Sequence, residues 1–305
     1  MSRCKRFLCC LTPFLALGLL TLAGCSGSTS KKKRAADDDE GPGVAEKGGG
    51  GSSGGAGAGA EGGEVAIKEY SGTLKGRVVF SGDANNAKFV SKPPDKNQAE
   101  CPAQIPQAGW YAGGADGKGV RYAVVFLRPV GGAWKNLDKK VLDLRGGTEG
   151  KAGPELVDVY QPKCQFDPRV SVVLPGQKLR GHNNSNPPIS HDFMLQAGSD
   201  RYGGTVPAGN HSDLTLPGDD RKPYTVFCNQ HTNFMNGYVW SFKHPFAAVT
   251  NENGEFTINN VPVLGSGKME LVVWHEMLKT ERNMKVIGEV TVGSKEEKKQ
   301  DIVVP

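Results

Sequence analysis

Short runs of alternating apolar and polar residues, each soon cut off by proline, glycine or asparagine, dominate the second half of this chain. "DVYQPKCQFDPRVSVVLPGQKLR" is interrupted at Pro168 and again at Pro175-Gly176, while "PYTVFC" and "GYVWSF" are two short aromatic runs on either side of a loop. A period of two ended by turn residues is the mark of strands, and helical periodicity is weak throughout, so the fold class expected is all-β. "NNSNPPISHDFMLQAG" reads as a polar turn leading into a strand that begins at His191. His191 and the loop after Cys228 are therefore expected at the same end of a sandwich.

The N-terminus has a different character. Arg3, Lys5 and Arg6 precede an apolar stretch from Phe7 to Leu22. A basic flank, a short apolar core and small residues at the exit make a signal peptide, too short and one-sided for a spanning helix. The exit, Leu22-Ala23-Gly24-Cys25, resembles a bacterial lipobox, whose cysteine is diacylated and becomes the new N-terminus; a plain signal or an uncleaved anchor is the alternative. Each buried methylene of an acyl chain adds roughly 0.8 kcal/mol, so several chains on Cys25 would hold the protein to a membrane without spanning it. Ser26, in place of aspartate, is similar to the pattern that sends such proteins to an outer membrane where one exists.

Residues 1–24 are thus expected as signal. Residues 25–64, with "KKKR", "DDDE" and a Gly-Ser-Ala run, are expected as a flexible tether that buries too little apolar surface to fold. The basic run either touches anionic headgroups or is solvated spacer. Loss of Arg3, Lys5 and Arg6 with the signal lowers the formal charge from +5 to +2, which gives no case for nucleic acid as a partner. Roughly 240 residues then remain, comfortable for two domains.

"FCNQHTNFMNGYVW" places Cys228, His231 and Met235 on one loop between strands. Around it stand Phe166-x-Pro168, Val172 to Gly176 to Leu179, Asn184-x-Asn186, His191-Asp192, Cys228-x-x-His231 and Met235-Asn236-Gly237. In that order these resemble the cupredoxins, of the plastocyanin and amicyanin kind, over residues 154–243. The resemblance implies a Greek-key sandwich holding one type 1 copper through His191, Cys228, His231 and Met235. It also implies that His231 sits nearest the surface in an apolar patch, with Phe193 and Phe234 helping a redox partner to dock. Two departures stand out. Three residues separate His231 from Met235, where amicyanin-like loops have two and plastocyanin-like loops four, and Asp192 replaces the asparagine that braces the cysteine end of the site in the family.

Copper chemistry accounts for the residue types independently. Two imidazoles and a thiolate in one plane with a long axial thioether suit both oxidation states, since soft sulfur favours Cu(I) and nitrogen keeps Cu(II) accessible. His182, in the turn before His191, is a competing candidate, whereas His211 and His244 have no partner spacing. His275-Glu276 lacks the second histidine of a zinc protease, because position 279 is lysine. Of seven cysteines, Cys4, Cys9 and Cys10 leave with the signal. With Cys25 lipidated and Cys228 on copper, Cys101 and Cys164 are expected to pair in an exported protein, the alternative being two buried free thiols.

"GTLKGRVVFSG" and "GVRYAVVFLRP" before the copper segment, and "HPFAAVTNENGEFTINNVPVLGSGKMELVVWHE" after it, resemble the carboxypeptidase regulatory-like, transthyretin-type sandwich. Asn253-Gly254 reads as a hairpin turn, and further strands are expected near 268–274, 286–292 and 300–304. The organisation expected is a cupredoxin sandwich at 154–243 inserted in, or packed on, a second small sandwich formed by 65–153 and 244–305. The function expected is a lipid-anchored electron carrier of the cell envelope, not an enzyme, facing the periplasm or exterior and serving exported redox proteins. Two alternatives are a copper carrier or sensor without electron transfer, and a structural or carbohydrate-binding envelope module with a degenerate site.

Overall fold

The structure, a computed structural model, describes residues 65–83, 91–92, 100–231 and 234–305. The expected signal, Cys25 and the whole of the expected tether lie outside them. Among the described residues no helix is long and apolar enough to cross a membrane.

Strand β1 (Ala66–Phe80) is long and its buried residues, Gly72, Leu74, Val78 and Phe80, all fall on one face, with Leu74 and Val78 fully covered, as the two-residue period of a half-buried strand requires. The two-residue strands β2 (Ser91–Lys92), β3 (Ile105–Pro106), β4 (Ala112–Gly113) and β5 (Gly119–Val120) follow. Strand β6 (Val124–Pro129) is apolar without alternation, and Val124 to Leu127 are all fully buried. Both of its faces are therefore covered. One short helix, α1 (Lys139–Asp143), is capped by the Asp138 carboxylate accepting from the Lys140 N–H.

The next eight strands are β7 (Leu156–Tyr160), β8 (Val170–Val173), β9 (Lys178–His182), β10 (His191–Ala197), β11 (Asp200–Val206), β12 (His211–Leu214), β13 (Tyr224–Phe227) and β14 (Asn236–Ser241). They form two sheets, ordered β11-β10-β13-β14-β8 and β12-β9-β7. Val159, Leu179, Phe193, Leu195, Val226 and Val239 fill the core between them.

Strands β15 (Ala247–Val249), β16 (Glu255–Ser266), β17 (Met269–Trp274), β18 (Met284–Val290), β19 (Glu297–Lys299) and β20 (Ile302–Val304) return to the first two sheets. β16 runs antiparallel to β1, β19 and β20 run parallel to it, and the other sheet is ordered β15-β6-β17-β18. The chain thus leaves one pair of sheets after Pro129 and rejoins it at Ala247. The hairpin expected at Asn253-Gly254 is a tight turn, with the Gly254 N–H on the Asn251 carbonyl, but the strands beside it separate. β15 pairs with β6 and β16 with β1, because the Thr250 hydroxyl donates to the Val120 carbonyl, accepts from the Ala123 N–H, and ties the corner between the sheets.

A third core joins the sheet carrying β14 to the outer face of β6 and β17. Trp240 stacks on Phe242 at 5.1 Å and meets Phe126 at 5.5 Å and Trp274 at 6.0 Å. All four rings are essentially buried, and each contributes on the order of 2–3 kcal/mol through area removed from water. The seam is therefore packed like a protein interior.

Candidate metal centre

The site is built where three strands end. β13 stops at Phe227, Cys228 follows, and one 3-10 turn, Asn229–His231, reverses the chain toward β14. The His231 N–H donates to the Cys228 carbonyl at 3.1 Å, the Met235 N–H to the His231 carbonyl at 3.0 Å, and the Cys228 N–H to the Met235 carbonyl at 3.2 Å. These bonds close the loop on itself. His191 opens β10, reached through a turn in which the Asn183 side-chain amide donates to the carbonyls of Ile189 and Val206, each at 2.7 Å.

His191, Cys228 and His231 converge. The two Nδ1 atoms are 3.2 Å apart, and Cys228 Sγ lies 3.9 Å from that of His191 and 3.4 Å from that of His231. The centre of such a triangle is about 2 Å from each corner, where transition metals hold imidazole nitrogen and thiolate sulfur, at roughly 2.0–2.3 Å. His191 Nε2 is buried without a hydrogen-bond partner, so Nδ1 is the working atom of that ring. The donor set, N2S with a buried thioether nearby, fits a soft-to-borderline ion of the copper type.

Electrostatics prepare the donors. Burial and the facing His231 ring push His191 down to about 4, and burial lowers His231 as well. Both imidazoles are therefore neutral, lone-pair-bearing ligands near neutral pH. Burial raises the Cys228 thiol, since a bare thiolate is poorly solvated there; a bound cation removes that penalty and deprotonates it. The Asp192 N–H donates to Cys228 Sγ at 3.2 Å and directs the sulfur.

Asp192 supplies the bracing expected of asparagine. Its carboxylate accepts from the Thr205 hydroxyl at 2.6 Å and from Asn229 Nδ2 at 2.8 Å, tying β11 to the residue after Cys228. Its carbonyl accepts from Gln161 Nε2 at 3.0 Å. Burial raises the carboxyl, but these side-chain hydrogen bonds outweigh it and hold Asp192 below the usual carboxylate range.

Met235 is fully buried in the same core as Cys228. Cys101 and Cys164 are joined in a disulfide with their Cα atoms 5.6 Å apart. One expectation is overturned: His231 is only 3 % exposed, and Phe193 and Phe234 are buried too. The sulfurs of the Cys101–Cys164 bridge lie within 4.8 Å of a His231 ring nitrogen, so the bridge covers the edge expected to be open. His182 stands apart, bound to Asp158 at 2.7 Å and stacked on Tyr160 at 4.7 Å. Sequence reasoning also passed over Gln107, Arg169 and Glu276, which grip the loop from outside, because each acts across more than 60 positions. A cleft of about 720 Å3 beside the loop is lined by Arg169, Thr225, Phe227, Asn229 and Tyr238.

No protein-family model and no curated protein matches the chain. Solved structures similar to part of it include a reduced tyrosine-for-tryptophan variant of amicyanin, at 18% identity over 30% of this chain and 87% of that one, with a TM-score of 0.24. Auracyanin B is similar at 14% identity over 28% of this chain and 87% of its own, TM-score 0.24. A dithionite-reduced auracyanin from the photosynthetic bacterium Roseiflexus castenholzii is similar at 13% identity over 29% and 97%, TM-score 0.25.

Proposed function

We propose that the chain is a membrane-anchored type 1 (blue) copper protein that carries single electrons between exported redox partners. The observation that carries the reading is the triangle of His191 Nδ1, His231 Nδ1 and Cys228 Sγ, whose centre lies at metal-bonding distance from all three. A copper ion held by His191, Cys228 and His231, with the Met235 thioether as a further donor, would supply the one-electron couple. The chain's own contribution is rigidity: three strand ends, the closed loop and the Asp192 bonds fix the donors, so little reorganises when the charge changes. The anchor belongs to Cys25, placing the protein in the cell envelope.

One observation favours a second reading. Covering His231 with the disulfide segment removes the exposed ligand edge through which a carrier exchanges electrons, and this suits a copper carrier or sensor. A visible spectrum of the copper-loaded chain tests the first reading. An intense thiolate-to-Cu(II) charge-transfer band is expected, lost in Cys228→Ser with an unchanged far-UV circular dichroism spectrum. A loaded protein lacking the band overturns it. A redox titration separates the two readings, since a carrier shows a reversible one-electron couple.

A further inference from the structure

Met235 is held by neighbours that are themselves gripped. On one side, the Phe234 carbonyl accepts from Gln107 Nε2 at 3.0 Å. Gln107 is buried, and its own carbonyl accepts the Tyr111 hydroxyl at 2.6 Å. On the other side, Arg169 Nη1 donates to the Asn236 carbonyl and Nη2 to the Asn236 side-chain oxygen, both at 2.9 Å. Arg169 is in turn clamped by Glu276, whose two carboxylate oxygens accept from Nε and Nη2 at 2.8 Å each. Gln107 and Glu276 both lie outside the two sheets that carry the triad.

The ion pair is 9 % and 3 % exposed at its two side chains. Burying two charges has a desolvation cost that good geometry only offsets, and an apolar pair of the same volume commonly serves stability as well. Stability alone therefore gives little reason for a guanidinium here. Its planar fork, in contrast, fixes direction: two hydrogen bonds hold one peptide carbonyl and one amide oxygen next to Met235, while two more anchor the fork on Glu276. The Cys228 N–H bond to the Met235 carbonyl passes that position on to the thiolate residue.

We infer that Gln107 and the Arg169–Glu276 pair are positioning residues for Met235, so that the sandwich outside the copper sheets sets how the thioether is presented to the donor triangle. The redox consequence rests on the proposed function; the mechanical one does not. The test uses the full chain with Gln107→Leu and Glu276→Gln, each read two ways. In the metal-free protein, hydrogen exchange at the Cys228 and Met235 amides should accelerate roughly tenfold, the factor expected for loss of one buried hydrogen bond. The Leu195 amide, in the β10–β11 ladder, should stay at its wild-type rate. In the copper-loaded protein the blue band should persist while the reduction potential and the electron paramagnetic resonance parameters shift.

Unchanged exchange at both amides overturns the inference. Accelerated exchange with an unmoved potential and spectrum also overturns it, while leaving the copper reading intact. A wild-type chain that takes no copper fails the copper reading alone, and the exchange arm then decides the bracing. If Glu276→Gln does not fold, Arg169→Met with Glu276→Met replaces it, because an apolar pair restores packing without direction. That variant should be folded and loose at both amides, and wild-type exchange in it counts against the inference.

Discussion

Replacing both bridge cysteines, Cys101→Ala with Cys164→Ala, removes a cross-link between residues 63 positions apart. Closing a loop of that length restricts the unfolded chain by about 4 kcal/mol at 25 °C in the chain-entropy account. The folded side adds a smaller term. Cys164 is fully buried and Cys101 nearly so, within the core that backs the triad, and losing two sulfur atoms there leaves a cavity costing on the order of 1 kcal/mol. A total loss of roughly 3–5 kcal/mol follows, lowering the midpoint of thermal unfolding by about 10 °C for a folded region of this size. Urea unfolding of the metal-free protein, followed by tryptophan fluorescence, measures it. A second readout addresses the cover itself: acylation of His231 by diethyl pyrocarbonate should be slow in the wild type and fast in the variant, while the fully buried His244 stays protected in both. A stability loss below about 1 kcal/mol would refute the loop-closure reasoning, and an equally protected His231 would show that the bridge is not what holds the cover down.

Met235→Leu should keep the blue colour and raise the reduction potential, because losing a thioether donor destabilises Cu(II) more than Cu(I); an unmoved potential in protein-film voltammetry places Met235 off the metal. Burial pushes His244 and His275 down to about 3, against roughly 6.5 in the unfolded chain. Below that value the unfolded state binds more protons, so the metal-free protein should lose stability as pH falls from 6.5 toward 4, by about 1.4 kcal/mol per pH unit for each such histidine. A flat urea midpoint across that range contradicts the burial. Cys25→Ala should release a soluble chain or leave an unprocessed precursor on cell fractionation, and a correctly cleaved chain still on the membrane rules out the lipid.

Local chemistry was the legible part of the sequence. Cys228 and His231 share one loop, and His191 stands where a polar turn ends and a strand begins, so the meeting of these three side chains is legible from spacing. β17 and β20 fell at their expected positions because each is a compact apolar run, Met269–Trp274 and Ile302–Val304. What stayed hidden depends on partners far along the chain. The burial of His231 follows from where the segment near Cys101 lies, and a spacing pattern holds no information about a cover from outside it. Glu276 read as half of a protease motif that failed, and only folding shows that Arg169 is its partner. The turn at Asn253-Gly254 was legible, but the parting of β15 and β16 into different sheets is decided by Thr250 reaching back to Val120 and Ala123.

The bridge over His231 also bears on which donors compete for that ring if the chain takes a metal. As free thiols, Cys101 and Cys164 would form with His231 a ligand group of their own, sharing that histidine with the triad. Thiolate-rich sets take Cu(I) and zinc readily. Oxidation withdraws two sulfurs from coordination and leaves His191, Cys228 and His231 without that competitor. A chain that meets metal while still reduced presents two overlapping sets that cannot both be filled, since each needs His231. The order of oxidation and metallation would then decide which of the two sets takes His231.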